Sequence, residues 1–235
     1  MGEMVKNVML NLFQHLIESD AYETLNRVQG DEKGGYDTVS EGEGRGGGRI
    51  CEMFAKQIVQ TEKDMEFSLN QICDQVLNRN PRLAEMVLVG IRTGGVFLTE
   101  RLRQKILQKK GIDLPTGIID ITLYRDDWTK LSQTPEVKKA EIHFSIEDKH
   151  VLLVDDVLFT GRTIRAAIDA LLDLGRPRSV ELAVLIDRGH RELPIQADYV
   201  GKMLETSRQD SVNVELKELA GVDQVVIERG KYPTP

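Results

Sequence analysis

The stretch VLLVDDVLFTGRT, residues 151–163, decides the fold. Four apolar residues run into two adjacent carboxylates, Asp155 and Asp156, and then into Thr160, Gly161, Arg162 and Thr163. A continuous apolar run of this kind suits a parallel strand buried on both faces. Beyond it, Ile164, Ala167, Ile168, Leu171 and Leu172 recur at helical spacing, and Gly175 and Pro177 stop the helix. The stretch therefore reads as strand, loop and helix, with the carboxylates at the strand end.

The same alternation extends outward. EMVLVGI (85–91), TGIIDITLY (116–124) and SVELAVLI (179–186) read as strands, and VNVEL (212–216) and QVVIE (224–228) as smaller ones. MEFSLNQICDQVLNR (65–79) sets Phe67, Leu69, Ile72, Val76 and Leu77 mostly on one helical face. VFLTERLRQKILQKKG (96–111) is a second helix, closed by Gly111. Strands alternating with helices predict an α/β fold, a mainly parallel twisted sheet flanked by helices. In such sheets ligands bind beyond the carboxyl ends of the strands.

With 235 residues, 40% of them hydrophobic, the chain has enough for one sizeable core or one domain with an appendage. A net charge of -7 gives no global nucleic-acid signature, so any RNA contact needs a local basic face. Cys51 and Cys73 form neither a CxxC pair nor a zinc cluster, which points to a reducing cytoplasm. No apolar run approaches the ~20 residues of a membrane helix, and no signal peptide is expected.

Residues 30–49, GDEKGGYDTVSEGEGRGGGR, bury too little apolar surface to offset their ordering entropy and read as a disordered linker. Before them Val8, Leu12 and Leu16 fit a short helix. Residues 1–55 are expected to be a disordered or dispensable extension, with one domain over 56–235.

The loop after Asp156 opens a helix, where free backbone N–H groups and the positive end of the dipole favour an anion. Gly161 permits close approach, and Thr160 and Thr163 add hydroxyl donors. Carboxylates beside such a cradle repel an isolated anion. They suit ribose hydroxyls or a magnesium shell, so a ligand with both phosphate and sugar satisfies both halves. Alone, a D-D pair reads better as a turn cap, with Gly161 relieving crowding. The motif lacks the G-x-x-x-x-G-K-[ST] pattern, so nucleoside triphosphate hydrolysis is not indicated.

This stretch resembles the phosphoribosyl pyrophosphate (PRPP) motif of type I phosphoribosyltransferases. VGIRTGG, IDITLYRDD, VDDVLFTGRTIRAAIDALLDLGRP and LAVLIDRGHRELPIQADYVGK, taken together over residues 58–230, resemble the PyrR family. The resemblance implies a type I phosphoribosyltransferase fold with a small hood region. It also implies conversion of uracil and PRPP to UMP and pyrophosphate, with Mg2+ bound alongside PRPP, and UMP-dependent binding of pyrimidine-operon leader RNA. A homodimer or higher homo-oligomer is the expected assembly.

On that resemblance, Asp155 and Asp156 serve the ribose hydroxyls and, directly or through water, magnesium. Val157, Leu158, Phe159, Thr160, Gly161, Arg162 and Thr163 take the 5'-phosphate. Arg92, Thr93, Gly94 and Gly95 follow another buried strand and suit the pyrophosphate, although alone they read as a glycine turn into a helix. Arg125, with Tyr124 nearby, lies in a loop that covers PRPP and excludes water. Asp187, Arg188, His190 and Arg191 take the base and nucleotide, with ion pairs or subunit contacts as the alternative for the two arginines.

An attenuator needs a basic surface. The first helix bears basic residues only at Arg79 and, just past it, Arg82, and Gln196 stands where RNA-binding relatives often have a basic residue. The enzyme is the favoured reading, with RNA regulation as a second role. The alternatives are a protein that is primarily an RNA-binding attenuator, a non-catalytic nucleotide sensor and a purine phosphoribosyltransferase. Whether Arg79, Arg82, Arg188, Arg191 and Lys202 converge on one face discriminates the RNA reading.

Overall fold

A computed structural model describes residues 56–121 and 140–230 of the chain. The expectations for residues 1–55 and for Tyr124 and Arg125 lie outside the described residues. The first described element, β1 (Lys56–Gln60), leads into α1 (Glu62–Arg79). A capping box fixes that turn: Thr61 Oγ1 accepts from the Asp64 N–H, and the Asp64 carboxylate accepts from the Thr61 N–H. A 3-10 turn precedes β2 (Met86–Ile91), followed by α2 (Gly94–Lys110) and β3 (Thr116–Ile119). β4 (Ala140–Glu141), β5 (His150–Leu158), α3 (Arg162–Leu172) and β6 (Ser179–Asp187) come next. The chain continues through β7 (Tyr199–Met203), β8 (Ser211–Glu215), α4 (Lys217–Ala220) and β9 (Gln224–Glu228).

Two sheets result. The larger has six strands in the order β4-β3-β2-β5-β6-β7, parallel except for the antiparallel edge strand β4. The smaller, in the order β1-β9-β8, is antiparallel and forms the hood. VNVEL and QVVIE supply two of its strands; β1 and β7 were not anticipated, because KQIVQ and YVGKM are short and half polar.

The parallel strands are apolar on both faces, as their sequences require. Val87, Val89, Val151, Leu153, Leu182 and Val184 share a core with Ile164, Ala167, Ala170 and Leu171 of α3. The alternate positions face the other helices: a Cβ at Gly90 would strike Thr99 Oγ1 and the backbone of α2, and one at Gly201 would crowd Ser68 of α1. One expectation for α1 is corrected. Its buried face is Met65, Ser68, Leu69, Ile72, Cys73 and Val76, whereas Phe67 is 70% exposed and Leu77 is half-buried. Phe67 lies one position off the i, i+3, i+4 row that meets β7.

Two further corrections concern the strands. Of TGIIDITLY, Thr116–Ile119 is strand, Asp120 and Ile121 fall outside it, and residues 122–124 lie outside the described residues. β5 runs on through both carboxylates to Leu158, with Val157 opposite Ile186 and Leu158 opposite Asp187. The acidic pair therefore sits inside the strand, and the loop before α3 is only Phe159–Gly161. Strand order reverses between β2 and β5: β2 leads outward to β3, β5 to β6 and β7. That is the switch point at which doubly wound sheets bind ligands.

Arg101 ties α2 to the hood. It donates from Nε to Glu218 at 2.9 Å and from Nη2 to Glu218 at 2.5 Å and to Asp223 at 2.7 Å. Asp223 also accepts from the Lys217 N–H at 2.8 Å. Burial pulls the Asp223 pKa upward, but the Arg101 and Lys217 hydrogen bonds outweigh it and leave the carboxyl below its usual 3.8. A depressed folded pKa contributes stability above the unfolded pKa that is lost as pH falls through the folded one. Asp223→Asn should therefore cost about 3 kcal/mol at pH 7. Urea unfolding should show the gap from wild type shrinking as pH falls below about 4. A gap of the same size at pH 3 and pH 7 would refute the pairing.

Candidate active site

The C-terminal ends of β2, β5 and β6 are adjacent in the sheet, so the three segments singled out in the sequence meet there. Asp155 is only 5% exposed. Its Oδ1 accepts from the Asp156 N–H at 3.0 Å, and Asp156 Oδ1 accepts from the Val157 N–H at 2.7 Å. Each carboxylate is thus oriented by the backbone beside it. Burial and then the neighbouring Asp156 charge hold the Asp155 pKa well above the ordinary carboxylate range. Burial raises Asp156 as well. Both cases follow from moving a charge out of water.

The RTGG loop packs directly on this pair. A Cβ at Gly94 would overlap Asp156 Oδ2, and one at Gly95 would overlap the Val154 carbonyl oxygen. The Arg92–Thr93 peptide is cis. Arg92 points between two acids, with Nε 3.5 Å from Asp120 and Nη2 3.4 Å from Glu141. Its buried Nε has no hydrogen-bond partner. Neither acid was among the expected site residues; Asp120 stands out as a lone charge just after the apolar run GII, but nothing local marks Glu141.

Thr160 and Gly161 form the short turn into α3. Gly161 has φ 91°, a left-handed conformation that favours glycine, and the Arg165 N–H donates to its carbonyl at 2.9 Å. The Arg162 N–H donates to Thr160 Oγ1 at 3.4 Å. Two side chains in this stretch have surroundings of their own. The Leu158 side chain is buried in the sheet core, so only its backbone faces the loop. Arg162 donates to Glu192 at 2.7 Å from an exposed position.

The RGHRELP segment turns its charges inward. Arg191 donates to Asp187 and to the carbonyls of Phe159, Gly189 and Ile195. Arg188 is 5% exposed, donates to the Ser207 carbonyl at 2.9 Å and stacks with its Cζ 4.0 Å from the Phe159 ring centroid. Burial draws its pKa down, with partial compensation from Asp210. A His190 ring nitrogen lies 2.7 Å from the Thr206 carbonyl, and the ring meets Phe159 edge-on at 6.0 Å. The four residues assigned to the base are thus gathered at one place, with Arg191 in an ion pair with Asp187 and Arg188 on a backbone carbonyl.

The five basic residues tested for an RNA face are all engaged. Arg79 pairs with Asp198 at 3.3 Å, Arg82 with Glu85 at 3.8 Å and Arg191 with Asp187. Lys202 donates to the Val59 carbonyl at 2.9 Å, and Arg188 is buried.

Among known families, that of the phosphoribosyl transferase domain matches residues 55–218. The bifunctional protein PyrR of Enterococcus faecalis OG1RF is 51% identical over 166 residues, covering 71% of this chain and 93% of its own length. That of Pelotomaculum thermopropionicum is 55% identical, over 68% of this chain and 88% of its own. That of Clostridioides difficile is 50% identical, over 74% and 99%. Among solved structures, a hypoxanthine phosphoribosyltransferase from Trypanosoma cruzi superposes with a TM-score of 0.60 at 21% identity, covering 76% of this chain and 97% of that one. That likeness speaks to fold alone.

Gly94→Ala tests the contact between the loops. The added methyl must displace the Asp156 carboxylate or the loop. Turnover should fall by about 10²-fold, the usual cost of an ångström-scale misplacement. The melting temperature should move by only a few degrees, about what 1 kcal/mol produces. Unchanged turnover in a folded variant would show that the two loops do not act together.

Proposed function

The chain belongs to the PyrR family of phosphoribosyltransferases, and from that membership we propose that it converts uracil and PRPP to UMP and pyrophosphate in the cytoplasm. The observation that carries the reading is the packing of Gly94 against Asp156, because it joins a pyrophosphate loop to a ribose-and-phosphate loop at one point. Breaking the bond between C1' and pyrophosphate develops positive charge on the ribose and negative charge on the leaving group. Catalysis is then positioning and charge stabilisation.

In this reading Asp155 and Asp156 hold the ribose hydroxyls and face the developing cation. The turn from Val157 to Thr163 receives the 5'-phosphate, through backbone N–H groups and the start of α3. Arg92 and the Thr93–Gly95 backbone take the pyrophosphate. Arg125 belongs to the covering loop. Residues 56–235 form the catalytic domain, and residues 1–55 are dispensable to it.

The carboxylates fit magnesium. Their oxygens are hard ligands, and an ion that keeps substrate oxygens and water needs few from the protein. Among the described residues no group of three or more His, Cys, Asp or Glu gathers as a metal site, consistent with that sparse set. Asp155 and Asp156 would hold the ion directly or through water, and when bound it neutralises the leaving pyrophosphate.

The second role is UMP-dependent regulation through leader RNA, supported by relatives named as bifunctional. The assembly proposed for both roles is a homodimer or higher homo-oligomer. Among the described residues no helix is long and apolar enough to cross a membrane.

Two measurements test the reading. Asp155→Asn with Asp156→Asn should remove UMP synthesis from labelled uracil and PRPP without lowering the melting temperature, while a chain beginning at Lys56 keeps the wild-type rate. Near-normal turnover in the double variant would sink the assignment. For RNA, Arg188, Arg191 and Lys202 are held by internal partners, and the exposed Arg79 and Arg82 each face an acid, Asp198 and Glu85. Each phosphate contact contributes about -0.7 to the salt slope of a single strand. A titration of pyrimidine-leader RNA at several salt concentrations, with and without UMP, should give a shallow slope and weak binding. Tight, UMP-enhanced binding that rejects scrambled RNA would place regulation on an equal footing with catalysis.

A further inference from the structure

We propose that Arg191 is a positioning residue for the turn that receives the 5'-phosphate, rather than a residue that reads the base. The proposal rests on the reading of residues 157–163 given above.

The turn between β5 and α3 is short, and three successive carbonyls in it are drawn back onto the RGHREL segment. Leu158 O accepts from the Arg188 N–H at 3.1 Å. Phe159 O accepts from Arg191 Nη1 at 2.8 Å. Thr160 O accepts from the N–H groups of Glu192 at 2.9 Å and Leu193 at 3.3 Å. In a trans peptide the C=O and the following N–H point in opposite directions. Tethering these three carbonyls on one side therefore aims the N–H groups of Phe159, Thr160 and Gly161 to the other. An anion cradle needs that polarity, since a carbonyl facing the phosphate would repel it.

The Phe159 carbonyl is held by a side chain and not by the backbone, and the same Arg191 Nη1 also lies 3.4 Å from Leu158 O, which the backbone already holds. Arg191 is built for that position. Its Nε donates to Ile195 O at 3.0 Å, Nη1 to Phe159 O and to Gly189 O at 3.0 Å, and Nη2 to the Asp187 carboxylate. Those four bonds use four of the five donors of a guanidinium. A group so occupied has little left with which to recognise a base. It also links the end of β6 to the end of β5, because Asp187 closes the one strand and Phe159 follows the other. Lysine keeps a charge for Asp187 but cannot present donors in a fixed fork to three carbonyls.

The test uses the full chain with Arg191→Lys and Arg191→Ala. Steady-state kinetics give KM for PRPP, KM for uracil and kcat; calorimetry gives the affinity for ribose 5-phosphate; thermal melting reports the fold. In Arg191→Lys, KM for PRPP and the Kd for ribose 5-phosphate should rise about 10- to 100-fold, as for a misplaced binding group. KM for uracil should stay within about twofold, since no base contact is removed. If Arg191→Ala does not fold, Arg191→Lys, which retains the pairing with Asp187, carries the result. A rise in KM for uracil with that for PRPP unchanged overturns the proposal, as does unchanged ribose 5-phosphate binding in a folded variant. A wild type that binds ribose 5-phosphate but turns over no uracil sinks the proposed function alone; the Arg191→Lys titration then still decides the role of Arg191. A wild type that does not bind ribose 5-phosphate overturns both.

Discussion

Two adjacent carboxylates near the carboxyl end of the central strand β5, Asp155 buried and Asp156 half-buried, constrain everything around them. Charges removed from water are costly unless paired or hydrogen-bonded. Asp155 and Asp156 receive N–H groups from Asp156 and Val157, yet their pKa values remain raised by burial. The strand that holds them is braced by β2 on one side and β6 on the other, so it cannot bend outward to solvate them. The pleat sends adjacent side chains to opposite faces. Asp156 then meets the start of α2, where only glycine at 94 leaves room for its carboxylate. The glycines of the RTGG loop are consequences of the acidic pair as much as features of a loop.

The arginines divide by how firmly they are held. Arg92 sits between Asp120 and Glu141 at 3.5 and 3.4 Å, with a buried Nε that makes no hydrogen bond. Exchanging those two partners for a pyrophosphate would satisfy that nitrogen and lose only loose ion pairs. Arg191 is the opposite case, with four directed bonds to its own backbone and to Asp187. Leaving them would strand buried acceptors, which costs more than the net worth of the bonds themselves. On the proposed reading, the loosely held Arg92 suits a ligand that replaces its acids, and the tightly held Arg191 suits a fixed brace.

Much of this was legible in residues 151–163. The apolar run into two acids, then glycine and a helix stripe, fixed a parallel α/β sheet and the end of it that carries chemistry, because strand burial and helix-terminus polarity are local properties. What failed was non-local. The length of β5 depends on pairing with β6, so the acids were read as ending a strand that continues to Leu158. Phe67 was assigned to the core from a periodicity that cannot say which row meets β7. β1 and β7 are edge strands, stabilised by pairing rather than by their own pattern. The acids beside Arg92 and the Phe159 carbonyl held by Arg191 come from distant parts of the chain, and no spacing in the sequence encodes them.

The inward turn of the RGHREL segment bears on how a base is selected. Arg188 is buried against Phe159, a His190 nitrogen is at the Thr206 carbonyl, and Arg191 is tied to the phosphate turn. All three side chains serve the loops around them. The main chain of the segment is also specially shaped, with Gly189 and His190 at φ values of 74° and 61° in succession. Two consecutive left-handed residues rotate their peptide groups away from the strand direction, which for histidine requires support from outside the residue. Its ring contacts to Thr206 and Phe159 provide that support. On the proposed reading, uracil, whose edge alternates acceptors with a donor, is matched by peptide N–H and C=O groups in that turn. On the same reading, Arg188, His190 and Arg191 hold the turn in shape.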